Sequence, residues 1–425
     1  MTMFLIAFVI FIVFLFLGVP IAFSMGLSSI IGILATGNSL AVVGQRLFSG
    51  INSFSLMAIP FFMLSGELMT AGGISKRLVN FASALVGRFT GGLGMVDILT
   101  SVIFAGVSGS AAADTAAIGS IMIEPMKKKG YTKGLACVIQ ATAGSLGPII
   151  PPSMTRIIYC SITNQSIGEL FMAGVIPGLI IAGATALVTF LYAKKLGIKG
   201  EKGATGAEVW KATKDAILAL IMPIIIIGGI VSGLFTATEA GAIAVFYALV
   251  ISLFVYKELS FRDLPKVFLG AAASSTMALL IVASANVFSW IVAYAKVPTI
   301  IVNALVSITD SKYVIMILLV IFLLIVGMFI ETLSATIICA PILMPVAAQF
   351  GIDPIQFALI MVITLVYAGV TPPVGGVLFI TMGIGKAKMK DVLPYLPAYL
   401  AAVVACILLL IFVPQTATFL PGLLF

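Results

Sequence analysis

Apolar residues run along this chain in stretches long enough to cross a bilayer, and polar positions fall mainly between those stretches. A membrane helix needs about 20 mainly apolar residues to traverse about 30 Å of hydrocarbon. The pattern predicts spans over 3–19, 20–36, 53–71, 135–160, 167–193, 216–235, 238–256, 268–295, 355–384 and 393–413. No Lys or Arg precedes the first of these, so it lacks the basic flank of a secretory leader. Two further stretches, 92–125 and 314–349, are apolar but interrupted at their centres by small and polar residues. They read as re-entrant helical hairpins that enter and leave on one side. Segments 75–89 and 298–310 read as amphipathic, and 194–215, rich in Lys, Gly and Glu, reads as a linker.

The basic residues test that arrangement. With the N-terminus outside and both hairpins returning to their own side, 19 of the 23 Lys and Arg gather on the cytoplasmic face. Arg46, Arg156, Lys296 and Lys312 are the exceptions. This is the positive-inside asymmetry of membrane proteins. A single crossing over 92–125 would place Lys127, Lys128 and Lys129 opposite Arg77 and Arg88, so charge favours re-entry. Both termini are then expected on the outer side.

The same assignment contains an internal repeat. A span, an amphipathic segment, a hairpin, a broken span and a closing span occur once in 53–193 and again in 268–425, with the hairpins opening to opposite sides. The expected organisation is scaffold helices over 1–52, a first inverted repeat over 53–193 with hairpin 92–125, a cytoplasmic linker over 194–215, a scaffold helix pair over 216–267, and a second repeat over 268–425 with hairpin 314–349. Inverted repeats with paired discontinuous helices mark secondary transporters, whose sites lie near the midplane. The expected fold is therefore an all-α polytopic membrane protein of alternating-access type.

Composition narrows the chemistry. Of 425 residues, 61% are hydrophobic and 9% charged, against roughly a quarter charged in a soluble domain. There is no histidine, which removes His-based acid–base and metal chemistry. Without a GxSxG motif or paired acids on facing spans, the chain is not read as an enzyme. Cys137, Cys160, Cys339 and Cys406 are scattered through apolar runs and read as small core residues. The net charge of +8 is spent on membrane orientation and does not indicate nucleic acid.

The candidate site lies at the interruptions. The first hairpin turns at Ala105–Ser110 and continues through Asp114; the next span breaks at Gly144–Ser153, which contains Pro151 and Pro152. The second hairpin turns at Glu331–Thr336, and its companion break is Gly369–Gly376 with Pro372 and Pro373. Non-helical backbone at membrane depth survives only where protein buries it or a wet cavity receives it. Its freed carbonyls and hydroxyls are hard oxygen ligands suited to Na⁺, and half-helix N-termini suit an anion. Ser110, Ser334, Thr336 and Thr371 are candidate hydroxyl donors to such a substrate. Asp114 is a candidate for an ion or for capping, and Arg156 for a bidentate grip on a carboxylate.

The segments 106–120, 147–153, 327–346 and 369–376 together resemble the signature segments of the large membrane subunit of TRAP transporters, the tripartite ATP-independent periplasmic transporters of the ion-transporter superfamily. The likeness extends over essentially the whole chain. It implies a Na⁺-driven elevator importer in a bacterial inner membrane, with periplasmic termini and two or more Na⁺ per cycle. The implied partners are a small four-helix membrane subunit and a periplasmic binding protein that delivers an organic acid, sialic acid first and a C4-dicarboxylate second. It implies one Na⁺ site involving Ser108, Ser110, Gly147, Ile150 and Pro152, and another around Gly369 and Thr371. Glu331 stands where the family often carries Asp. Arg156, at a position commonly apolar in the family, becomes a specificity candidate for a sialic acid carboxylate. The outer charges Arg46, Glu169, Glu239, Lys296 and Lys312 become candidates for docking the binding protein. A self-sufficient Na⁺/carboxylate symporter or antiporter of the same architecture is the alternative.

Overall fold

The computed structural model describes residues 2–425. The chain opens with α1 (Thr2–Phe16), α2 (Ile21–Ala35) and α3 (Ala41–Ile51). A first series follows: α4 (Ala58–Ala71), α5 (Ile74–Val86), α6 (Gly92–Ser108), α7 (Ala111–Lys128), α8 (Lys133–Gly144), α9 (Met154–Thr163), α10 (Ile167–Ala173) and α11 (Val175–Lys195). Next come α12 (Gly206–Val231) and α13 (Ala237–Val250), the latter continued by a π-helical turn. A second series comprises α14 (Leu264–Tyr294), α15 (Val297–Val306), α16 (Lys312–Phe329), α17 (Thr332–Gln349), α18 (Pro354–Ala368), α19 (Gly376–Gly385), the short α20 (Met389–Val392) and α21 (Leu396–Phe412); α22 (Gln415–Leu424) closes the chain. Among the described residues there is no β-strand. Seven helices are long and apolar enough to span a membrane, and α21 with α22, bent by 60°, would make an eighth. The protein is an all-α polytopic membrane protein.

The two series repeat one order of elements: long helix, arm, hairpin, interrupted pair, closing helix. The interrupted pairs lie innermost. Every residue from Gly134 to Gly144 in α8 and from Ile355 to Ala368 in α18 is buried. A helix that is apolar all round belongs inside protein. The halves also interlock, since α19 of the second packs on α7 and α8 of the first, while α17 packs on α9. Tyr367 Oη in α18 donates to the Thr142 carbonyl of α8 at 3.2 Å, tying the two interrupted pairs together. Around them, α1, α13, α14 and α16 leave large apolar side chains such as Val9, Phe246, Leu269 and Ile325 exposed on their outer faces. At the basic end, Lys133 pairs with Asp391 at 2.8 Å, and that contact with the Lys388 amide holds the Asp391 carboxyl below its usual range.

Two features depart from the sequence expectations. The segment 194–215 is not linker throughout, because α12 begins at Gly206. Thr205 and Glu208 form a reciprocal capping box there, the Glu208 carboxylate accepting from the Thr205 amide at 2.7 Å. Helices α3 and α22 arise in stretches assigned to no separate element. The span expected over 167–193 is present as one apolar stretch, Ile167–Lys195, with a one-residue step at Gly174 between α10 and α11.

The carbonyls in the last turn of a helix have no partner within it. Gln356, buried in α18, serves two of them at the end of α21, its Nε2 donating to Leu410 at 2.8 Å and Ile411 at 3.3 Å. Gln356→Leu therefore leaves two buried carbonyls unmet at a cost of about 1–3 kcal/mol. A lower apparent unfolding temperature in detergent is expected, and an unchanged one would remove this staple from the account.

Candidate functional site

Each hairpin turns in two residues. Helix α6 ends at Ser108, and Gly109 takes a left-handed backbone with φ of 68°. A side chain at Gly109 would be strained there and would also strike the Pro152 carbonyl, so the first tip lies directly on the break between α8 and α9. Ser110 then adopts an extended backbone and caps α7, its hydroxyl accepting from the Ala113 amide at 3.5 Å. The second turn is made by Ile330 and Glu331, both extended. Glu331 caps α17, its carboxylate accepting from the Ser334 amide at 3.1 Å and the Ser334 hydroxyl at 3.4 Å.

The breaks follow from their prolines, which lack the amide that would continue a helix. Residues 145–153 and 369–375 are non-helical, and each holds a cis Pro-Pro bond, Pro151–Pro152 and Pro372–Pro373. Ser153 caps α9: its hydroxyl donates to the Pro148 carbonyl at 2.6 Å and accepts from the Arg156 amide at 3.3 Å. Gly375, left-handed with φ of 43°, starts α19. The Val374 amide donates to Met328 at 3.3 Å, joining the second break to the second hairpin.

Between tips and breaks lies a cavity of about 270 Å³. Its lining includes the first-turn residues Ala111 and Ala112 of α7, Met154 and Thr155 of α9, Thr332 and Leu333 of α17, and Gly376 and Val377 of α19. Four helix N-termini therefore border one cavity, each presenting the positive end of a dipole, although in α19 the Val377 amide is already met by the Gly369 carbonyl at 3.2 Å. Glu331 is the one charged residue in the lining, and no Lys or Arg reaches it.

The expected site residues separate into three groups. Ser110 and Gly369 line the cavity, and Ser108, Gly147 and Pro152 are buried around the first tip with Ile150 half-buried at the break. Asp114 lies against Gly147, fully buried, its carboxylate beside the Ser108 hydroxyl and otherwise without a partner. The neighbouring Thr115 hydroxyl, against Gly144, is also unpartnered. Orphaned oxygens beside an unwound backbone form a donor set suited to a hard cation.

A second group sits one turn behind the cavity. Ser334 turns to Glu331, while the Thr336 hydroxyl donates to the Thr332 carbonyl at 2.8 Å and that of Thr371 to the Tyr367 carbonyl at 3.0 Å. Arg156 corrects its expected role most directly. It is fully buried, outside the lining, and its guanidinium donates to the carbonyls of Leu170 at 2.8 Å, Phe171 at 3.2 Å and Ile149. These carbonyls belong to the end of α10 and to the first break, so the cation closes a helix C-terminus. The third group is peripheral: Arg46, Glu239, Lys296 and Lys312 are exposed and Glu169 half-buried. Glu239 also serves the Thr236–Glu239 capping box of α13.

Sequence reasoning missed Thr155, Thr332 and Met63 as cavity residues. The N-cap rule applied at Ser153 and Glu331 would have found the first two, because residues just after a cap face whatever the helix N-terminus faces.

Residues 8–416 match the family described as Tripartite ATP-independent periplasmic transporter, DctM component. The chain is 40% identical over 375 residues to the 2,3-diketo-L-gulonate TRAP transporter large permease protein YiaN of Escherichia coli, covering 88% of each. It is 39% identical to the isethionate TRAP transporter permease protein DctMQ of Oleidesulfovibrio alaskensis, over 97% of this chain but 65% of that relative. Other relatives are named for C4-dicarboxylates and for sialic acid. The crystal structure of the YdaH transporter of Alcanivorax borkumensis has a similar fold, with a TM-score of 0.64 at 15% identity over 88% of this chain and 87% of that one.

The placement of Arg156 yields a test. Arg156→Ala should lower thermal stability and folded yield, since it leaves unmet three carbonyls that the guanidinium now satisfies, at about 1–3 kcal/mol for a buried acceptor left without its donor. A variant of normal stability that had lost only affinity for an acid would restore the direct contact.

Proposed function

The chain belongs to the DctM family of tripartite ATP-independent periplasmic transporters, and from that premise we propose that it imports an organic acid anion in symport with Na⁺. It is a TRAP transporter large permease. The observation that carries the anionic substrate is the meeting of four helix N-termini at one cavity that no basic side chain reaches. Beside it, the Asp114 carboxylate, the Ser108 and Ser110 hydroxyls and the carbonyls of Gly147, Ile150 and Pro152 at the unwound break support a Na⁺ site. Gly369, with Thr332 and the second break, supports another. Sodium is cargo here, bound and released in each cycle.

The elements that border the cavity, α6–α9 and α16–α19, form the moving part in an elevator cycle. Helices α1–α3, α12 and α13 form the scaffold, their apolar outer faces turned to lipid and to the small membrane subunit. The third of the DctMQ relative that this chain does not cover is consistent with a second membrane component. Orientation follows the basic residues: hairpin α6–α7 opens to the cytoplasm of a bacterial inner membrane and α16–α17 to the periplasm. A periplasmic binding protein then meets the face that carries Arg46, Glu239, Lys296 and Lys312. The names of the relatives range over a sulfonate, a sugar acid, dicarboxylates and sialic acid, so family membership alone does not choose the acid.

In proteoliposomes, uptake should require both a Na⁺ gradient and the cognate binding protein. The double variant Ser108→Ala, Ser110→Ala should raise the Na⁺ concentration for half-maximal uptake by about 5–10-fold, the worth of one to two hydrogen-bond-scale ligands. Unchanged Na⁺ dependence would remove both hydroxyls as ligands, and uptake without any binding protein would favour the self-sufficient symporter.

A further inference from the structure

The cavity between the tips is apolar over most of its wall. Of its 21 lining residues, only Ser110, Thr155, Glu331 and Thr332 carry polar side chains. Three already have a partner: Ser110 accepts from the Ala113 amide and keeps its own O–H to donate, Glu331 accepts from Ser334, and Thr332 donates to the Leu365 carbonyl at 3.3 Å. Thr155 differs. It is 4% exposed, lines the cavity from the first turn of α9, and its hydroxyl makes no hydrogen bond within the described residues. The rest of the wall is built from Met63, Met154, Met328, Ile330, Val377 and Ile380 with their apolar neighbours.

From this we propose that the cavity selects a small organic monoanion with an apolar body. Its single carboxylate or sulfonate head would lie on the first-turn amides and the Thr155 hydroxyl, and its aliphatic body against the methionine and branched aliphatic wall. The inference rests on the reading of the chain as an organic-anion permease and narrows its substrate.

Two physical arguments lead there. A hydroxyl buried without a partner costs about 1–3 kcal/mol, so a polyhydroxylated acid would lose several such increments against this wall. A second carboxylate would be desolvated with no basic side chain to meet it and with the Glu331 carboxylate in the same lining. The wall thus points away from both acids that the family resemblance suggested first.

The test uses the full chain in lipid nanodiscs with NaCl present and reads ligand-dependent thermal stabilisation. The probes are 4-methyl-2-oxopentanoate, 4-methylpentane-1-sulfonate, succinate and N-acetylneuraminate. Saturable stabilisation is expected from at least one of the first two, at concentrations at least 10-fold below those at which succinate or N-acetylneuraminate acts; the first two arms tell a carboxylate head from a sulfonate. Thr155→Val should weaken every acid that binds. Ile380→Thr should weaken the branched monoanions by about 10-fold, the worth of lost apolar contact in such a pocket. Succinate or N-acetylneuraminate binding as well as the branched acids would overturn the inference and leave the anion permease standing. Stabilisation by none of the four would overturn both the inference and the assignment of this cavity to an organic anion.

Discussion

A backbone that stops being helical in the middle of a membrane protein must be enclosed by protein, and this constraint organises the molecule. Two interrupted pairs, α8–α9 and α18–α19, carry the non-helical segments. Lipid cannot satisfy their freed groups, so the remaining helices surround them. This is why α8 and α18 are buried on every side although their sequences would also suit a lipid-facing span. The partners that the breaks need come from the opposite half or from polar side chains placed for the purpose. Tyr367 reaches Thr142 across the two halves, Ser153 reaches back to Pro148, and Arg156 takes the Ile149 carbonyl with two from α10.

Much of this was legible in the chain because Gly, Ser and Pro act through the backbone. The first tip and both breaks fall where those residues cluster, whereas the second tip turns at Ile330 and Glu331, and a double proline ends a helix whatever surrounds it. The repeated order of elements was legible for the same reason. What one strand of sequence does not carry is direction. Arg156 follows a break closely enough to look like a ligand, but its guanidinium is drawn to the unmet carbonyls of α10, a helix boundary that only the fold defines. Ser334, Thr336 and Thr371 have the right chemistry one turn too far along, where a helical hydroxyl finds a backbone carbonyl or its own cap before it finds a cavity. The start of α12 is a different case: Thr205 and Glu208 spell a capping box, but the surrounding Lys and Gly dominated the reading of 194–215.

A site made of helix ends has consequences that a site made of arginines does not. The dipoles are fixed to the elements that bear them, so they travel with a moving body without rearranging side chains. They also hold an anion less tightly than a desolvated guanidinium would, which favours release on the far side of the membrane.

On the proposed reading, the position of Asp114 couples the two cargoes. It lies in the first turn of α7, one turn from Ser110, its carboxylate beside the Ser108 hydroxyl and otherwise without a partner. An ionised carboxylate there opposes the dipole of the very helix end that faces the cavity, and so weakens the site for an anion. A Na⁺ ion held by that carboxylate and the freed carbonyls of the first break cancels the opposition. The anion then binds better with Na⁺ in place, and by thermodynamic reciprocity Na⁺ binds better with the anion in place. Coupling would thus arise from one charge behind one helix end, without direct contact between ion and substrate.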